Sequence, residues 1–102
     1  MNKIYISGKI TGTKDYMRRF RLAECDLHIK YRNPDVINPA KVNGEIPEST
    51  TYEEYIKMSL CMLSMCDTIY MLKGWKDSKG AKLEHEYAKA HNYNIIYESE
   101  EE

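Results

Sequence analysis

The sequence predicts a three-layer α/β sandwich: a four- to five-stranded, mainly parallel sheet covered by helices on both faces. Three observations carry that expectation. Short apolar runs rich in β-branched and aromatic residues alternate with longer segments of helical period, in the order β-α-β-loop-α-β-α-β. The strand runs are apolar along their length, as strands buried on both faces are. The chain has 102 residues, enough for one compact domain.

The first strand is KIYIS, Lys3 to Ser7, closing at Gly8. GKITGTKD follows as a glycine-bearing loop. From about Asp15 to Tyr31 the positions Tyr16, Phe20, Ala23, Leu27 and Tyr31 recur at three and four residues, which is a helix stripe. Asn33-Pro34 ends it. DVIN, Asp35 to Asn38, reads as a short strand closed by Pro39. Residues 40–50 carry turn chemistry without a period and read as a loop. Thr50 or Thr51 caps the next helix, with Glu53 and Glu54 in its first turn. That helix runs from about Tyr52 to Met65, and its second half, MSLCMLSMC, is apolar nearly all round. It is therefore expected to be covered on both sides, by the core and by a second subunit. DTIYML, Asp67 to Leu72, is the clearest central strand. KGWKD is a loop, Ser78 to about His91 a helix, and YNIIY, Tyr93 to Tyr97, the last strand. A single domain over residues 1–97 and a disordered acidic tail over 98–102 complete the expectation.

Right-handed crossovers place the C-terminal ends of all parallel strands on one edge. Ser7-Gly8-Lys9, Asn38-Pro39 and Lys73-Gly74-Trp75 then meet there, with Ser78-Lys79-Gly80 just beyond. Ligands of open α/β sheets bind at that edge.

Composition excludes several classes. A net charge of −1 gives no global pull toward polymeric nucleic acid or a membrane surface. Arg18, Arg19 and Arg21 read as a solvated helix face. No apolar run reaches the ~20 residues of a membrane span, and no signal peptide precedes the first strand. Cys25, Cys61 and Cys66 form no C-x-x-C pair and do not cluster with His28, His85 or His91. Free thiols in a reducing cytosol are expected, with no metal and no cofactor.

WKDSKGAKLEHEYA, Trp75 to Ala88, carries the chemistry. Ser78 stands at a helix N-terminus, where backbone N–H groups favour anions. Gly80 in the first turn costs roughly 1 kcal/mol relative to alanine, so something is expected to approach its backbone closely. Glu84, four residues on, shares its face. An ordinary reading stands beside this one: Ser78 as a plain cap, Gly80 tolerated, Glu84 solvated near Lys79 and Lys82. SGKITG is neither G-x-G-x-x-G nor a Walker A loop. Trp75 either stacks on a ligand base or packs against a loop or second subunit. Asp67 opens its strand away from the crevice and reads as a turn or capping group.

KIYISGKITG, VINPA and CDTIYMLKGWKDSKGAKLEHEYA together resemble the nucleoside 2-deoxyribosyltransferase-like superfamily, over roughly residues 3–97. The closest likeness is to its small bacterial and phage branch, similar to the deoxynucleoside 5′-monophosphate N-glycosidases. The resemblance implies a flavodoxin- or Rossmann-like fold, a nucleoside or nucleotide as partner, and a homodimer or higher homo-oligomer. It implies Glu84 as a nucleophile attacking the anomeric carbon, Ser78 and Gly80 as 5′-phosphate contacts, and Tyr5, Gly8 and Lys9 beside the sugar or base. Ser7, Asn38, Gly74 and Trp75 join them as candidate substrate contacts at the same edge. The family's usual aspartate, eight residues before Asp67, is Ser59 here. A hydroxyl cannot replace a carboxylate as acid or charge. Glu86 stands where a glycine is frequent. Three readings remain at this point: a glycosidase or deoxyribosyltransferase, a nucleotide-derivative binding module, and an interaction protein whose apolar second helix makes a homodimer.

Overall fold

A computed structural model of the chain describes residues 3–10 and 12–98. Strands β1 (Lys3–Ser7), β2 (Asp35–Ile37), β3 (Thr68–Met71) and β4 (Asn94–Tyr97) form one sheet in the order β2-β1-β3-β4, with every pairing parallel. Helices α1 (Tyr16–Lys30), α2 (Pro39–Asn43), α3 (Tyr52–Ser64) and α4 (Lys79–Ala90) connect them. The predicted α/β sandwich is present, and its sheet has four strands among the described residues.

Side chains alternate across each strand, and the two faces of the sheet carry two cores. Ile4, Ile6, Tyr70 and Leu72 pack against Phe20, Ala23 and Leu27 of α1. Tyr5, Ile69 and Met71 pack on the other side against Leu63 of α3 and Ala81 and Ala88 of α4. Chain order reverses between β1 and β3, which pair directly from Ile4↔Thr68 to Ser7↔Met71. That reversal is the topological switch point, where open parallel sheets form a crevice. At the opposite end Asp67 acts as read: its Oδ1 accepts from Lys3 N at 3.3 Å and from Thr68 Oγ1 at 2.9 Å.

Thr51 begins α3 with a complete capping box. Its Oγ1 accepts from Glu54 N at 3.2 Å, and Glu54 Oε1 accepts from Thr51 N at 2.8 Å. Three expectations need correction. Residues 40–50 are not all loop: Pro39–Asn43 makes α2, because Asn38 Oδ1 accepts from Ala40 N at 3.0 Å and Pro39 suits the first helical position. The KGWKD loop holds a 3₁₀ turn, Trp75–Asp77, entered through Gly74 at φ 88°. Within the single chain the core covers one side of the second half of α3, as expected, and the cover expected from a second subunit lies outside it. Leu63 is the buried residue of α3, Cys61 is exposed and Met65 is 54% exposed. Glu98, expected in the disordered tail, is held by the sheet. Glu98 N donates to Met71 O at 2.8 Å, extending the β3–β4 ladder, and the Glu98 carboxylate accepts from Lys73 N at 2.6 Å. Residues 99–102 lie outside the described residues.

Candidate functional site

Tyr5 and Ser7 stand two apart on β1, so both project to the α3/α4 side of the sheet. Glu84 meets them from the second turn of α4 and is only 6% exposed. Tyr5 Oη donates to Glu84 Oε2 at 2.7 Å, and Ser7 Oγ donates to Oε1 at 2.6 Å. Both carboxyl oxygens are thus held by hydroxyls from a buried strand. The solvated reading of Glu84 is set aside by this geometry.

Two opposing influences set its proton affinity. Burial raises the Glu84 pKa most; hydroxyl donors at Ser7, Tyr5 and Ser59 favour the carboxylate and restrain the rise. The balance lies at about 7. Burial, and then the neighbouring Glu84 charge, push the Tyr5 phenol well above its ordinary value, so Tyr5 serves as a donor and not as an acid.

A cavity of about 270 Å³ opens at this carboxyl. Of the residues singled out in the sequence, Tyr5, Gly8, Ser59, Ser78, Gly80 and Glu84 line it. Ser7 reaches the site through Glu84. Ser78 is the N-cap of α4, its Oγ accepting from Ala81 N at 3.1 Å, so the ordinary reading of this serine as a cap holds while it also lines the cavity. Gly80 is explained by packing. A Cβ there would stand 3.2 Å from Ile56 Cδ1 and 3.7 Å from Tyr52 Oη, so the close neighbour is α3.

The other four candidates do not line the cavity. Trp75 is buried in the second core, its ring stacked on His85 at 4.2 Å and near Tyr97 at 6.3 Å. Glu84 and His85 are successive on α4 and project from different faces, so the tryptophan that packs on one is carried away from the other. Asn38 is occupied in capping α2 and in donating to Glu24 Oε1 at 3.2 Å. Gly74 is the left-handed entry to the 3₁₀ turn. Lys9 is half-buried outside the cavity wall.

Sequence reasoning missed an aromatic wall, formed by Tyr16, Phe20, Tyr52 and Tyr55, and missed Asn43. One signal was available. Tyr52, Tyr55, Ile56 and Ser59 lie at i, i+3, i+4 and i+7 and make one stripe of α3. Asn43 ends α2, and its buried Oδ1 has no hydrogen-bond partner among the described residues. Such an acceptor is costly to leave unmade and suits a ligand donor. Among the described residues no group of three or more His, Cys, Asp and Glu gathers to hold a metal ion, and no helix is long and apolar enough to cross a membrane.

The family profile described as a domain of unknown function, DUF4406, matches residues 2–97, nearly the whole chain. The chain belongs to the DUF4406 family. No curated protein matches it. In this DUF4406 protein the matched span contains every cavity residue named above.

Proposed function

We propose that the cavity is the active site of an N-glycosidase or deoxyribosyltransferase acting on a nucleoside or its 5′-monophosphate, with Glu84 as nucleophile. The observation that carries this reading is the Glu84 carboxyl, buried at a cavity with an aromatic wall and with both oxygens fixed by Tyr5 and Ser7. A carboxylate so fixed has little orientation left to lose in an attack. As the bond from a Glu84 oxygen to the anomeric carbon forms, the carbon–nitrogen bond breaks and its electrons leave with the base. Water then releases the sugar, or a second base accepts it. The leaving base must gain a proton, and Ser59 supplies no acid, so bases that leave readily are the better substrates. The free cysteines suit a reducing cytosol, and the open apolar side of α3 is where a second copy would pack.

A second reading, a binding module for a nucleotide derivative, is favoured by one observation: Ser59 lines the cavity as a neutral hydroxyl where the resemblance leads one to expect a carboxylate. Chromatographic detection of free base from a panel of ribo- and deoxyribonucleosides and their monophosphates separates the two. Base release is expected from the native protein, falling on the order of 10³-fold in Glu84→Gln. Heat stabilisation by a panel member with no release from any of them would establish the module instead.

The reaction needs Glu84 ionised, so kcat/KM is expected to rise with pH through a midpoint near 7. In Ser7→Ala one donor to the carboxylate is gone. A charge-assisted hydrogen bond of ~1.5–3 kcal/mol moves that midpoint about one to two pH units higher. A midpoint unmoved in Ser7→Ala would remove Glu84 from the titration.

A further inference from the structure

We infer that the cavity selects an uncharged nucleoside over its 5′-monophosphate, an inference that rests on the glycosidic reading above. Among the described residues no lysine, arginine or histidine lines the cavity. Its polar wall is neutral apart from Glu84: Tyr16, Asn43, Tyr52, Tyr55, Ser59 and Ser78 offer hydroxyls and one carboxamide. These groups hydrogen-bond a sugar and a base, and none of them neutralises a phosphate dianion.

Cations close in sequence to lining residues are placed elsewhere. Arg19 donates to Lys73 O at 2.7 Å and lies 3.8 Å from the Glu98 carboxylate. Lys79, at the start of α4, is exposed, and Lys9 stays off the wall. The first turn of α4 is partly engaged by the chain itself. Ser78 Oγ is engaged with Ala81 N, and the space before the Gly80 Cα is filled by Ile56 and faced by the Tyr52 hydroxyl.

Charge acts in the same direction. The one ionisable wall group that the reaction needs charged is a carboxylate, already driven toward its neutral form by burial. A phosphate dianion in the same cavity would drive it further. Phosphate in this cavity therefore weakens its own binding and suppresses the nucleophile.

The test is titration calorimetry on the full chain, beside base release, with the common 2′-deoxynucleosides, their 5′-monophosphates, ribose 5-phosphate and inorganic phosphate. At least one nucleoside is expected to bind at least ~10-fold more tightly than its monophosphate, a gap of about 1.4 kcal/mol. The two phosphate probes are expected to give no binding heat. In Glu84→Gln, which carries no charge, the disadvantage of the monophosphate should narrow. A monophosphate that binds or reacts as well as its nucleoside overturns this inference and leaves the glycosidic reading standing. A disadvantage that persists undiminished in Glu84→Gln supports the selection and assigns it to the uncharged wall alone. Absence of both binding and base release across the panel overturns the glycosidic reading and this inference together.

Discussion

Glu84→Gln is expected to melt higher than the native protein at pH 8 and at nearly the same temperature near pH 4.5. The sign follows from where the carboxyl holds its proton. Its pKa is raised by folding, from 4.5 to about 7. Below pH 4.5 it is protonated in both states and contributes no difference. As pH rises from 4.5 to 7 the unfolded chain gives up its proton while the folded chain keeps it, so stability falls. Above 7 the whole penalty remains, about 3 kcal/mol at 1.36 kcal/mol per pH unit. Glutamine keeps the volume and removes the buried charge. Its amide oxygen accepts from one hydroxyl, and its NH₂ donates to the other. At 4–8 °C per kcal/mol for a domain of this size, the variant should gain ~10 °C or more at pH 8. Differential scanning calorimetry of both proteins at the two pH values measures this directly. A variant that melts lower at pH 8 would mean that the carboxylate stabilises the fold, and the reading of Glu84 as a strained functional group would fall. A gain in stability together with a loss of base release marks a residue retained for chemistry.

How far the sequence could be read depended on whether each signal was local. The apolar runs at Lys3–Ser7 and Thr68–Met71 and the Phe20-Ala23-Leu27 stripe required nothing beyond strand and helix periods, and they placed the sheet edge. The Thr51–Glu54 box is a spacing rule and was legible as a cap. Ser78, Gly80 and Glu84 were legible as a group because four residues make one helical face. Helix α2 was not legible: at 5 residues it has no period to detect, and it rests on Asn38 and Pro39. The cavity wall was also hidden, since Tyr16 and Phe20 come from α1, Asn43 from α2 and Tyr52 and Tyr55 from α3. Their convergence is tertiary. At Trp75 the sequence left stacking on a ligand and packing both open, and the ring packs. Its loop lies at the expected edge, yet the ring turns into the core, because a large aromatic gains more from burial than from standing open. At Gly80 the sequence suggested a close approach to the backbone by an anion or sugar, and the group that stands close within the chain is Ile56.

Gly8→Ala is the second substitution with a large expected effect, and it separates packing from ligand access at the cavity rim. A Cβ on Gly8 would stand 2.8 Å from Leu72 Cδ1, 2.9 Å from Leu72 Cβ and 3.1 Å from its Cγ. The Cδ1 could swing away, but the Cβ is fixed by the backbone just after β3. Leu72 is fully buried, and its N–H donates to Ser7 O at 2.8 Å, tying the two chain segments together. Relief therefore requires the end of β1 to move, which draws Ser7 from Glu84. Overpacking of this kind costs ~1–3 kcal/mol. Leu72→Ala removes two of the three close atoms and leaves the Cβ, so in that background the cost of Gly8→Ala should shrink without vanishing. Denaturant unfolding of the four proteins closes the cycle, with a coupling of ~1 kcal/mol expected. In Gly8→Ala the midpoint of the pH–rate profile should also move upward, because the Ser7 donor is displaced. An unchanged cost in the Leu72→Ala background would disprove the packing account. Native stability in Gly8→Ala combined with lost turnover would assign the glycine to the ligand, since only an incoming molecule would then meet the added methyl group.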